Sequence, residues 1–172
     1  FLMVPDYFHF LLTGKKVQEY TNATTGQLID PKTNDWDLEL IKMLGYPERL
    51  FKSVSMPGTL VGMLTDEIAG EVGFNCKVVL PATHDTASAV MSVPSTKDDT
   101  LYISSGTWSL MGCEIMKANC SQLSMKHNFT NEGGYDLRYR YLKNIMGLWM
   151  IQSARKELAP DISFAQTYEG AA

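Results

Sequence analysis

At 172 residues, with 45% hydrophobic and 20% charged side chains, the chain is long enough for about one globular unit with its own core. Its formal net charge of −4 comes from interspersed acids and bases, which excludes the basic stripe of a nucleic-acid binder and the polybasic helix of a membrane-surface protein. No apolar run approaches the roughly 18 residues of a spanning helix. The three cysteines, Cys76, Cys113 and Cys120, lack C-x-x-C spacing. They indicate buried or incidental thiols in a reducing, cytoplasmic compartment rather than a disulfide framework or a zinc site.

Residues Tyr7 to Leu12 are apolar and run into Thr13-Gly14, which predicts a helix with a glycine stop. Val17 to Asp30 is rich in Thr and short polar groups and predicts strand or loop. A turn over Pro31 to Asp35 precedes a short amphipathic helix, Asp37 to Leu44, closed by Gly45. Pro57 to Gly62 is a glycine-punctuated loop or edge strand. Thr65 then caps a helix reaching Val72 and stopped by Gly73. Val78 to Leu80 predicts a buried strand and His84 to Met91 a helix, and Pro94 to Thr100 is polar enough for a linker. Beyond it, residues 101–112 predict a hairpin, Asn131 to Asp136 a turn, Leu137 to Leu142 a strand and Leu148 to Leu158 an amphipathic helix. Strands alternating with helices give an α/β class. Both ends, Phe1 and Gly170-Ala171-Ala172, read as cuts through a longer polypeptide.

The stretch Leu80-Pro81-Ala82-Thr83-His84-Asp85-Thr86-Ala87-Ser88 places one carboxylate where a strand passes into a helix. The first turn of a helix keeps a carboxylate ionised, so Asp85 is either a helix-capping residue or a general base. His84 is equally a satisfied structural histidine or a group that orients a hydroxyl. Ser104-Ser105-Gly106-Thr107 is a hairpin turn that can also present donors to phosphate oxygens. Together a carboxylate and such a turn suit phosphoryl transfer to an alcohol. If a helix begins near Asn144, Gln152 lies two turns on, about 12 Å away. Asn144 is then an N-cap or a sugar contact, and Gln152 a solvated residue or a nucleotide contact. Trp36, Trp108 and Trp149 fit core or interface positions.

These residues carry a resemblance that covers nearly the whole chain. His84-Asp85-Thr86-Ala87-Ser88-Ala89-Val90 resembles the catalytic segment of the FGGY family of carbohydrate kinases. Pro5 to Gly14, Glu19 to Thr24 and Tyr102 to Ser109 resemble other stretches of that family. Phe129 to Gly134 and Leu142 to Trp149, together with His84, resemble its L-rhamnulose-specific branch. The resemblance implies RNase H-like domains of the actin/hexokinase type. Residues 1–94 would be the end of the N-terminal domain and 95–172 the start of the C-terminal one. It implies ATP-dependent phosphorylation of L-rhamnulose at O1, with ATP and Mg²⁺ as cofactors. Asp85 matches the catalytic base, His84, Thr86 and Asn144 sugar contacts, and Gly106, Thr107 and Gln152 nucleotide-side positions. No protein metal ligand is implied.

The family's Asp-x-Gly-Thr/Ser phosphate loop is missing, since no Asp-x-Gly occurs in these 172 residues. The expectation is a kinase whose isolated piece is inactive without the remainder of its polypeptide. Its small-molecule partners are a ketose and ATP, with no nucleic acid and no membrane. The alternatives are a kinase for another ketose, such as L-fuculose or L-xylulose, and a non-catalytic sugar-binding fragment.

Overall fold

The computed structural model describes every residue except Thr96, Asp98, Asp99, Thr107 and Ala172. Helix α1 (Val4–Thr13) admits Pro5 in its first turn, where a missing N–H costs nothing, and ends as expected at Gly14. Gly14 has φ +71°, and its N–H donates to the Phe10 carbonyl at 2.7 Å. The Thr-rich stretch that predicted strand or loop instead holds helix α2 (Tyr20–Ala23) and a 3₁₀ turn, Thr24–Gly26. The reason is local satisfaction. Glu19 caps α2, accepting from the N–H groups of Thr21 and Asn22, while the Thr24 and Thr25 hydroxyls donate back to the Thr21 and Asn22 carbonyls, 2.7 Å each.

Strands β1 (Ile29–Asp30) and β2 (Asp35–Trp36) form a minimal hairpin around the expected turn. Helix α3 (Leu38–Met43) starts on Asp37, whose carboxylate accepts the Leu40 N–H at 2.9 Å. Strand β3 (Leu60–Met63), helix α4 (Asp66–Val72) and strand β4 (Lys77–Val79) follow. Thr65 and Gly73 bound α4 as the sequence predicts, Gly73 at φ +79°. The strand predicted as buried alternates instead. Val78 and Leu80 face the core while Val79 is exposed, because β4 pairs only with β3 and one face stays open.

Helix α5 (Asp85–Met91) leads through the 94–100 segment to a four-stranded antiparallel sheet. Its strands are β5 (Leu101–Ser105), β6 (Ser109–Ile115), β7 (Thr130–Gly133) and β8 (Tyr139–Ile145), in the order β5-β6-β8-β7. Helix α6 (Gln122–Lys126) lies between β6 and β7, and α7 (Gly147–Leu158) and α8 (Phe164–Ala171) follow β8. Strand β7 occupies much of the predicted Asn131–Asp136 turn. The chain reverses just after it, with Asp136 and Leu137 at φ +56° and +58°. Gly112 lets β6 and β8 approach, since a Cβ there would meet the Tyr141 carbonyl at 2.5 Å.

Two small apolar cores lie before residue 81. One joins Val61, Leu64, Val78 and Leu80 under Leu12 and Ile68, and the other joins Ala23, Trp36 and Ile41 under Phe51 and Val54. Of the three tryptophans only Trp36 is core; Trp108 and Trp149 are more than half exposed. All three cysteines are free, with Cys76 and Cys120 exposed rather than buried.

The β7–β8 end of the sheet is wedged between two parts of the first segment. On the odd-numbered face, Gly133 lies against Tyr20 and Thr24, its N–H donating to Thr24 Oγ1 at 2.9 Å. The Tyr139 hydroxyl donates to the Pro31 carbonyl at 2.7 Å. On the even-numbered face, Glu132 and Arg140 meet His84 at the start of α5.

Candidate active site

The site grows from a buried carboxylate. Asp6, in the first turn of α1, accepts the Glu19 N–H at 3.1 Å and so sets where Glu19 enters α2. Glu19 is fully buried and accepts from five donors: the N–H and hydroxyl of Thr21, the Asn22 N–H, and the N–H and hydroxyl of Thr83. Both hydroxyl contacts are 2.6 Å. Thr21 Oγ1 in turn accepts the His84 N–H at 3.3 Å. One carboxylate thus fixes the Thr83-His84 backbone from a position 64 residues earlier in the chain.

His84 is the N-cap of α5 and Asp85 its first residue, so Asp85 is not the cap. Asp85 Oδ1 accepts the Thr86 N–H at 2.6 Å and the Thr86 hydroxyl at 3.2 Å, while the residue itself stays exposed. A carboxylate held by one oxygen and open at the other suits proton acceptance. Ser88 anchors the turn from below, its hydroxyl donating to the Ala82 carbonyl at 2.6 Å.

Opposite α5 stands a charged pair absent from the sequence-based candidates. Arg140 has no exposed surface, and its Nη2 lies 3.1 Å from Glu132 Oε2. Its Nε and Nη2 also donate to the Gly133 carbonyl, at 3.4 and 3.2 Å. Glu132 Oε2 is 3.8 Å from His84 Nδ1. Burial pushes the His84 pKa below its ordinary 6.5, and the Arg140 charge pushes the same way; Glu132, Asp85 and Glu19 oppose them without prevailing. The net direction favours the neutral ring. Nothing in the sequence singled out Arg140: in the run Leu137 to Leu142 it alternates with apolar residues, as a solvent-facing side chain would.

The remaining predicted residues sit elsewhere on the sheet and its helices. Asn144 does not begin a helix: β8 stays paired with β6 through Leu110↔Asn144 and Ser109↔Ile145, and the helix starts only at Gly147. Gln152 lies in the second turn of α7, so the predicted two-turn spacing from Asn144 along one helix is replaced by a strand-to-helix bend. That bend is tight. Gly147 has φ +42°, and a Cβ there would come within 2.6 Å of Ser109 Oγ and 3.1 Å of the Gly106 carbonyl. The turn holding Gly106 therefore abuts the start of α7. The Gly106 N–H donates to the Trp108 carbonyl at 2.9 Å and is engaged within the turn. Thr107 lies outside the described residues. Asn144 shares the even-numbered face with Arg140 and Glu132, about 13 Å along the strand from Arg140. No hydrogen bond or ion pair joins Asn144, Gly106 or Gln152 to His84, Asp85 or Thr86 among the described residues. No group of three or more His, Cys, Asp or Glu that could hold a metal ion occurs among them either. Among the described residues no helix is long and apolar enough to cross a membrane.

Comparison with known proteins bears on this arrangement. Residues 1–92 match the sequence profile described as "FGGY family of carbohydrate kinases, N-terminal domain". The chain is 53% identical over 169 residues to a rhamnulokinase of Halalkalibacterium halodurans, covering 98% of this chain and 36% of that protein. It is 52% identical over 165 residues to a rhamnulokinase of Oceanobacillus iheyensis, covering 96% and 35%. The chain thus spans about a third of the length of the curated relatives it matches. Among solved structures it is similar in fold to a ligand-bound xylulose kinase from Lactobacillus acidophilus, with a TM-score of 0.82 and 19% identity over 98% of this chain and 34% of that one. A gluconate kinase from the same organism gives a TM-score of 0.78 and 19% identity, over 95% and 33%. The expected mixed α/β sugar-kinase fold is the one observed, and the chain belongs to the FGGY family of carbohydrate kinases.

Proposed function

We propose that this chain contributes the sugar side of an ATP-dependent kinase that phosphorylates L-rhamnulose at O1, with Asp85 as the base. One observation carries the reading: the exposed Asp85 carboxylate is oriented through a single oxygen by Thr86, directly after His84 at the start of α5. The names of the relatives that are about half identical supply the sugar. Asp85 takes the proton of the attacking hydroxyl as that oxygen bonds to the γ-phosphorus and the bond from that phosphorus to the bridging oxygen breaks, releasing ADP; His84, Thr86 and Asn144 orient the sugar. Gly106, Thr107 and Gln152 are assigned as the nucleotide contacts.

We assign residues 1–94 and 95–172 to the two flanking domains, in the reducing cytoplasm. ATP is the phosphoryl donor. Mg²⁺ is assigned to the nucleotide phosphates, and no step here is routed through it. With no Asp-x-Gly phosphate loop in these 172 residues, they are expected to turn over no ATP alone.

The test is an ATP-coupled ketose panel on the full-length polypeptide, with Asp85→Asn as the variant. Activity on L-rhamnulose is expected to fall about 10³-fold in kcat, the scale of a lost general base. Activity that survives the substitution moves the base elsewhere. Preference for L-fuculose or L-xylulose replaces the sugar, and no activity on any ketose leaves a sugar-binding fragment.

A further inference from the structure

Four buried polar atoms lie between α5 and the even-numbered face of the sheet without a hydrogen-bond partner: His84 Nδ1, Glu132 Oε2, Arg140 Nη1 and the Tyr102 hydroxyl. Buried charges persist only when paired. Here the pairing is specific but incomplete. Arg140 is anchored through Nε and Nη2 to the Gly133 carbonyl, and it holds Glu132 Oε2 at 3.1 Å in a geometry that is an ion pair without being a hydrogen bond. The same carboxylate oxygen faces His84 Nδ1 at 3.8 Å.

A neutral imidazole carries one N–H, and the group beside each nitrogen decides which. An anion next to Nδ1 places the proton there and leaves the Nε2 lone pair free. Resting on the kinase reading above, we propose that Glu132 and Arg140 are positioning residues. Arg140 fixes the Glu132 carboxylate, and Glu132 fixes the Nδ1–H tautomer of His84, so that a sugar hydroxyl meets a hydrogen-bond acceptor at Nε2. The groups facing the ring are Glu19 from the segment before α2, Asp85 from α5, Glu132 from β7 and Arg140 from β8. Only Glu132 forms a close pair with Nδ1. Substrate recognition on α5 thereby depends on two side chains of the sheet.

The experiment uses the full-length polypeptide labelled with ¹⁵N-histidine, the His84 signal being identified by its loss in His84→Gln. At pH 7.5 the wild type shows the Nδ1–H tautomer. Replacing the pair together, Glu132→Met with Arg140→Met, keeps volume without stranding a charge, and it abolishes that preference. Kinetically the double variant raises the ketose KM about fivefold, the scale of a lost hydrogen bond between neutral groups, and leaves the ATP KM unchanged. In a His84→Gln background the same pair of changes adds nothing to the ketose KM. Should the double variant not fold, Glu132→Gln gives a smaller shift, about threefold, in the same direction.

An Nε2–H tautomer in the wild type overturns the proposal, as does an equal penalty in both backgrounds, which marks a merely structural pair. Absence of ketose phosphorylation in the wild type overturns the kinase reading instead, and the tautomer signal still decides whether Glu132 orients His84.

Discussion

Two carboxylates flank His84, Glu19 fully buried and Glu132 half-buried, and they are treated in opposite ways. Glu19, behind it, receives five hydrogen bonds. Glu132, in front, leaves Oε2 without one, although Arg140 and His84 both approach it. A saturated buried acid holds backbone in place, because moving any donor strands it. An unsaturated one retains capacity that a neighbour can use. The first is a scaffold and the second a control on the ring it faces.

That contrast can be broken from either side. The largest stability loss is expected for Glu19→Ala, which orphans donors on α2 and on the Thr83-His84 turn together. Urea unfolding should show a cost of about 3–5 kcal/mol, against much less for the paired Met replacement at Glu132 and Arg140. Equal losses at both places would erase the distinction.

Asp6 sharpens it through pH. Burial raises its pKa from the ordinary 3.8 to about 6, outweighing the two backbone N–H groups it accepts from. A carboxyl whose folded pKa is raised contributes stability that is complete below about pH 4 and is lost as pH rises through about 6. Asp6→Asn should remove that dependence. The difference between wild-type and variant unfolding curves from pH 4 to 7.5 should change by about 2.5 kcal/mol, and a flat difference would mean that Asp6 does not titrate there.

The smallest effect is expected at the wedge. A Cβ on Gly133 would fall 2.4 Å from Tyr20 Cε1 and 2.8 Å from Thr24 Cγ2. Gly133→Ala should cost about 2 kcal/mol by overpacking and weaken ketose binding, because Glu132 shifts with it. Unchanged stability would show that the sheet moves freely against α2.

Helices bounded by their own residues were legible in the sequence. Thr65 and Gly73 mark α4, Gly14 ends α1, and Asp37 starts α3, each through a contact within a few residues. Helix α2 was not legible, because its polar composition favours loop until Glu19 caps it, and Glu19 is itself braced by Thr83 from the far side of the chain. Strand β7 was hidden by Gly133-Gly134, which reads as a turn although Gly133 answers to packing on Tyr20. The contiguous residues His84, Asp85 and Thr86 could be read from the sequence. Glu132 and Arg140 could not, since strand pairing, not sequence proximity, brings them to His84.

Tyr139 and Arg140 are consecutive in β8, yet one bonds the Pro31 carbonyl and the other holds Glu132. Sliding β8 by a single residue would exchange their faces, pressing a guanidinium against the Tyr20 ring and a phenol against Glu132. The two neighbours therefore act as a key with different teeth on its two edges. Only one alignment of β8 brings Tyr139 to Pro31 and Arg140 to Glu132 at once.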